Sequence, residues 1–86
     1  MAATAAMNGV TPDSSITFSY QDTDDALERI EHSGRVTRVE GSTNGVRMVF
    51  VDSGADIYRL HRGGAVDVRE KDGYWHLVGY SVRIER

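Results

Sequence analysis

The stretch QDTDDALERIEHSG, Gln21 to Gly34, decides the fold class. Asp22 or Thr23 stands where a helix N-cap would, acids crowd the turn that follows, and Gly34 is placed to end the helix. Asp25 with Arg29 and Glu28 with His32 are spaced i,i+4, which brings their side chains together on a helix surface. The apolar face is thin: Ala26, Leu27 and Ile30. Read as a helix, the stretch makes the domain α+β.

On its N-terminal side, Ile16-Thr17-Phe18-Ser19-Tyr20 alternates apolar and polar residues as a strand does. Residues 1 to about 14 before it are small and polar and carry the chain's single proline, Pro12. They are expected to form a disordered tail, with 15–86 a single domain. On the C-terminal side, strands are expected at about 36–41, 46–52, 57–61, 65–70 and 74–84. The turns between them, STNG, SGA, RGG and KDG, each hold or adjoin a glycine that can take a positive φ. The expected architecture is one short helix on a strongly curved, five- to six-stranded antiparallel meander, order β-α-β-β-β-β-β. The strand at 16–20 joins an edge. Alternation is the same in an open sheet and a closed barrel, so it does not choose between them.

Three-residue loops at 53–55, 62–64 and 71–73 would fix the register. One face is then Val39, Val46, Met48, Phe50, Tyr58, Leu60, Val66, Val68, His76, Val78, Tyr80, Val82 and Ile84, the expected core. The opposite face is not simply polar. It carries Val49, Val51, Ile57, Trp75 and Leu77, with Arg47, Arg59, His61, Asp67 and Arg69 between them. Val51, Ile57, Arg69 and Trp75 would form one cross-strand row, with Arg69 over the Trp75 ring. One short helix cannot cover two apolar faces, so the sheet curls into a barrel or the second face packs on another chain. The candidate interaction residues are Val49, Val51, Ile57, Arg59, Arg69, Trp75 and Leu77.

The net charge of −3 disfavours a general nucleic-acid binder, whose surface is usually basic. Nine Arg against a single Lys, Lys71, points to a GC-rich or salt-adapted genome. With no cysteine, disulfides, thiolate metal sites and a cysteine nucleophile are excluded. No apolar run is long enough to span a membrane, and the start lacks the basic and apolar regions of a secretory signal. A cytoplasmic protein is expected.

The loop FVDSGAD, Phe50 to Asp56, resembles the active-site loop of retroviral-type aspartic proteases. The resemblance implies a homodimer in which each Asp52 supplies one carboxylate of a proton-sharing dyad, Ser53 braces the loop and Gly54 allows its turn. The second apolar-apolar-glycine segment of that family would be Leu77-Val78-Gly79, too near in sequence to leave room for a flap. The same residue types make good turns, and a hairpin loop is the reading adopted. A helix followed by five bent strands also resembles the Sm-like barrel of RNA chaperones, which implies RNA binding, as does an arginine-rich face with a tryptophan.

The histidines, His32, His61 and His76, show no metal-ligand spacing. His32 falls at the expected helix end, His61 on the second face, and His76 on the core face. Asp22, Asp24 and Asp25 lack the glycine and terminal glutamate of a calcium loop, and no serine has a histidine and acid at triad spacing. Gly63-Gly64 is followed by a strand, not the helix that a phosphate loop requires. No enzymatic activity, cofactor or metal is expected. The sequence therefore points to a non-enzymatic interaction module. It would form a homodimer or higher oligomer, or meet another protein, through the face around Trp75, with nucleic-acid binding as the alternative.

Overall fold

The computed structural model describes residues 7–25, 27–43 and 45–85. Six antiparallel strands follow one another: β1 (Ser15–Asp22), β2 (Arg29–Ser42), β3 (Gly45–Asp52), β4 (Ile57–His61), β5 (Val66–Arg69) and β6 (Trp75–Glu85). Each pairs with the next, and β6 returns to pair with β1, so the sheet is a closed barrel with no free edge.

The α+β expectation is overturned at Gln21–Gly34. Among the described residues, no helix lies between β1 and β2. Residues 23–25 and 27–28 are bends, turn and coil, and Arg29–Gly34 is already strand, pairing Gln21↔Arg29 through Ile16↔Gly34 with β1. The aspartates do cap backbone N–H groups, but those of a turn. Asp22 accepts from the N–H of Asp24 and Asp25 from that of Leu27, both at 3.0 Å. Leu27 is 98% exposed. A helix resting on three apolar residues buries too little to compete with these six strand pairs. Ala26, the remaining member of that apolar face, lies outside the described residues. The likeness to an Sm-like barrel rested on this helix and falls with it.

Strand β2 closes the barrel. Its first half pairs with β1 and its second half with β3, and Arg35 pairs with both Ser15 and Asp52. Register shifts at Val36/Arg38 and Glu40/Gly41 bend it, as bulges do. Gly34 sits where β2 presses on β3. A Cβ there would lie 2.5 Å from the Asp52 carbonyl oxygen and 2.7 Å from Val51 Cγ1, so only glycine fits.

The core is the barrel interior: Ile16, Phe18 and Tyr20 of β1, Val36, Val49, Val51, Tyr58, Leu60, Val66, Val68, Val82 and Ile84. The expected face of β3 is inverted. The loop after Asp52 has four residues, not three, because Asp52 pairs with Ile57. That one-residue change turns Val49 and Val51 inward and Met48 and Phe50 outward. On β6 a shift at Val66/Asp67 and a positive φ of 54° at Ser81 reset the alternation. His76 and Tyr80, expected inside, are exposed. The loops at 62–64 and 71–73 do keep the expected registers, Tyr58↔Val68 and Val68↔His76.

Of the expected tail, residues 1–6 lie outside the described residues. Residues 7–14 fold onto the barrel end where β1 begins. Met7 and Val10 are buried in the core, Asn8 Oδ1 accepts from the Val46 N–H, and Asp13 and Ser14 exchange backbone hydrogen bonds with Val36.

Candidate functional site

The outer surface of β3, β4, β5 and β6 carries a contiguous cluster. In an antiparallel sheet, residues directly opposite one another share a face, and Phe50, Arg59, Asp67 and Leu77 are successive cross-strand partners. Asp52, Ile57, Arg69 and Trp75 form the next row. Trp75 stands edge-on to Phe50, ring centroids 5.8 Å apart, and the Arg59 guanidinium lies 4.3 Å from the Trp75 ring centre. Arg38 reaches over the Phe50 ring at 5.6 Å.

Asp67 anchors this cluster. It is the one buried charged residue among those described. Its Oδ2 accepts from Arg59 Nε at 2.9 Å, lies 2.8 Å from Arg59 Nη2, and takes the Nε2–H of His61 at 2.6 Å. Burial pushes the Asp67 carboxyl up, but the hydrogen bonds from His61 and Arg59 outweigh it and hold the group below the usual carboxylate range. Arg59 is thus fixed by an ion pair on one side and by the indole on the other. A stacked guanidinium of this kind contributes about 0.5–1 kcal/mol beyond the ion pair.

The seven expected interaction residues separate. Val49 and Val51 are fully buried inside the barrel and cannot meet a partner. Ile57, Arg59, Arg69, Trp75 and Leu77 do lie on the outer face, and Leu77 is 45% exposed. Arg59, not Arg69, covers Trp75. In the expected row, Asp52 takes the place given to Val51. Phe50 was assigned to the core and belongs to the face. The signal that would have found it is the loop length, since a hairpin closed by Ser53 and Asp56 needs four residues.

That loop is the FVDSGAD segment. Ser53 N–H donates to the Asp56 carbonyl at 3.0 Å, Ser53 Oγ donates to the same oxygen at 3.0 Å, and Asp52 Oδ1 accepts from the Gly54 N–H at 2.8 Å. Asp52 is exposed and braces its own turn.

A second polar cluster sits inside the barrel, near the end where β1, β3 and β5 finish. His32, expected at a helix end, points inward from β2. Its Nε2 lies 3.0 Å from the Tyr58 hydroxyl and 3.3 Å from that of Tyr20. Phe18, Tyr20, His32 and Tyr58 pack ring on ring, with His32 and Tyr58 centred 4.7 Å apart. Burial lowers the His32 imidazole, partly offset by Asp56, and raises both tyrosines. His76 lies apart, exposed on β6 and 3.0 Å from Asp72 Oδ2. No group of three metal-ligating side chains occurs among the described residues, and none of their helices is long and apolar enough to cross a membrane.

Fold and face together define a small closed antiparallel barrel with an ordered aromatic and arginine cluster on one side. Comparisons with protein-family models, with curated proteins and with solved structures find nothing that matches the chain.

Proposed function

We propose that the chain is a non-enzymatic interaction module that associates with a second copy of itself through the outer face of β3–β6 around Trp75. The observation that carries this reading is the pre-ordered Phe50–Trp75–Arg59–Asp67 cluster beside a half-exposed Leu77. Tryptophan, phenylalanine and arginine are enriched in the centres of protein interfaces. Their side chains are already held in place here, so docking orders little more. A closed barrel offers no strand edge for pairing, which leaves its faces as the means of association. The face also carries both signs of charge, Arg38, Arg59 and Arg69 with Glu40, Asp52 and Asp67. A patch that must match itself about a two-fold axis needs both.

Nucleic acid remains the second reading, favoured by the exposed guanidinium of Arg69 in the same row as Trp75. Against it, the Trp75 ring face that would stack a base is covered by Arg59, and Arg59 is neutralised by Asp67. Light scattering behind a sizing column, at low and high salt, tests the proposal. Wild type is expected to run as a dimer or larger, and Trp75→Arg as a folded monomer. A monomeric wild type, or a Trp75→Arg variant of unchanged oligomer size, would refute it. Salt-sensitive binding of a single-stranded oligonucleotide by a monomer would put the second reading in its place.

A further inference from the structure

The two ends of the barrel are closed differently. At the end where β1 begins, Met7 and Val10 fill the interior with apolar side chains. At the opposite end an open cleft of about 380 Å³ reaches from the loops down to Tyr20 and Tyr58. Small-molecule sites occupy roughly 300–1,000 Å³ and recur at the mouths of barrels.

The floor of this cleft has unused hydrogen-bonding capacity. Tyr20 and Tyr58 are both more than nine-tenths buried, and their hydroxyls share the single Nε2 of His32. That nitrogen carries either one lone pair or one hydrogen, so it serves one hydroxyl at a time, and the two hydroxyls also hydrogen-bond each other, which leaves neither without a partner. In either tautomer the two hydroxyl oxygens keep free lone pairs, which can accept from a donor in the cleft. Burial favours the neutral phenols, so they remain hydroxyls and not phenolates at ordinary pH.

The walls and rim set the charge of what fits. Val68 and Val78 supply an apolar wall, and Asp56, Glu70 and Asp72 stand around the opening against one cation, Lys71. Asp72 is engaged by the Tyr74 N–H and by His76. The carboxylates of Asp56 and Glu70 accept no hydrogen bond among the described residues. The charge on Asp56 is felt at Tyr20, Tyr58 and His32, so the negative potential of the rim extends to the floor.

We propose that this cleft binds a small organic cation, a primary ammonium on a short apolar body. Its ammonium is held by Asp56 and Glu70 and donates to the tyrosine hydroxyls, and its body lies against Val68 and Val78. The site is separate from the outer face and does not depend on self-association.

Benzylammonium chloride is a suitable probe, with benzyl alcohol and benzoate as neutral and anionic counterparts of the same shape. Amide and methyl shifts in nuclear magnetic resonance titrations would be followed on the full chain. Benzylammonium is expected to saturate signals of Asp56, Val68, Glu70 and Val78, while the other two compounds do not saturate. Asp56→Asn and Glu70→Gln, made separately so that one misfolded variant does not end the test, should each weaken binding about fivefold or more, as loss of one nearby charge implies. Trp75→Arg should bind as wild type. The proposal is overturned if benzyl alcohol or benzoate binds as tightly as the ammonium. It also fails if the folded variants keep wild-type affinity, or if the saturating shifts lie away from the cleft.

Discussion

The direction in which β3 faces can be tested by placing the same carboxylate at two adjacent residues. Val49 is fully buried inside the barrel, and Phe50 lies on the outer face. Val49→Asp forfeits the burial of a valine, about 1.5–3 kcal/mol. It also places a carboxylate in the apolar core, beside its cross-strand neighbours Val39 and Leu60, with no partner, which costs several kcal/mol more or forces protonation. The total loss is at least about 4 kcal/mol. An 86-residue domain has on the order of 4–13 kcal/mol to lose. Val49→Asp should therefore lose roughly a third or more of the domain's stability at 25 °C. Phe50→Asp loses the Trp75 ring contact, about 0.5–1.5 kcal/mol. It lands between Arg38 and Arg59, its direct neighbours on β2 and β4, and each can return about 0.2–1 kcal/mol. The two sides nearly cancel, so the net change should stay within about 1 kcal/mol, a shift in Tm of no more than roughly 4–8 °C. Urea unfolding followed by circular dichroism, at a protein concentration low enough that self-association would contribute nothing, gives both values. If Phe50→Asp is the more damaging of the two, β3 faces the other way, and the four-residue loop at Ser53–Asp56 and the barrel register are wrong.

Gly79 lies against the Tyr20 ring, and a Cβ there would overlap Tyr20 Cδ2 and approach the Gln21 carbonyl oxygen at 2.8 Å. Gly79→Ala should cost about 1–3 kcal/mol by overpacking, read as a lowered urea midpoint; unchanged stability would show that β1 and β6 do not meet as described. Stability should also fall on mild acidification. The folded imidazole of His32 is lowered by burial, so the unfolded chain takes up the proton first. Its contribution is whole above about pH 6.5 and is lost as pH falls through the folded value. Urea midpoints between pH 7.5 and 5 measure this, and a loss in that window that persists in His32→Phe would assign it elsewhere. Asp67 acts lower on the scale. Held below its ordinary value of 3.8, it contributes its full stabilisation above about pH 3.8 and loses it as the pH falls through the lowered folded value, so Asp67→Asn should flatten the strongly acid limb of the same curve.

How far the fold was legible depended on whether interior positions were filled by apolar letters. The C-terminal strands stand close to where alternation put them, because valines, Tyr58 and Leu60 mark the inward positions. Strand β2 obeys the same period of two, with Ile30, His32, Gly34 and Val36 turned inward and Glu31, Ser33 and Arg35 outward. Two of its inward residues are a histidine and a glycine. The histidine is there because Tyr20 and Tyr58 need a hydrogen-bonding partner inside the barrel, and the glycine because β3 presses on it. Neither reads as a core residue in isolation. Asp22 as a cap and Asp25 as a first-turn acid are chemically sound helix signals, but both side chains serve a turn.

The outer face was legible in kind and misplaced in detail for one further reason. A hairpin loop of three residues and one of four look alike in Ser-Gly-Ala-Asp until Asp56 is seen to close the turn with Ser53. That single residue exchanges Val49 and Val51 for Met48 and Phe50 on the surface. The exchange is informative about the face itself. With the valines outside, the patch would have been aliphatic and greasy. With Phe50 there, it becomes an aromatic pair braced by Arg38, Arg59 and, through Arg59, by Asp67 and His61. An aliphatic patch would have been suited to permanent burial. A face in which every aromatic ring is matched to a cation, and the central cation to a carboxylate, tolerates water when alone and loses little by ordering when covered. The self-association proposed for this face would, on that balance, be reversible and not that of an obligate dimer.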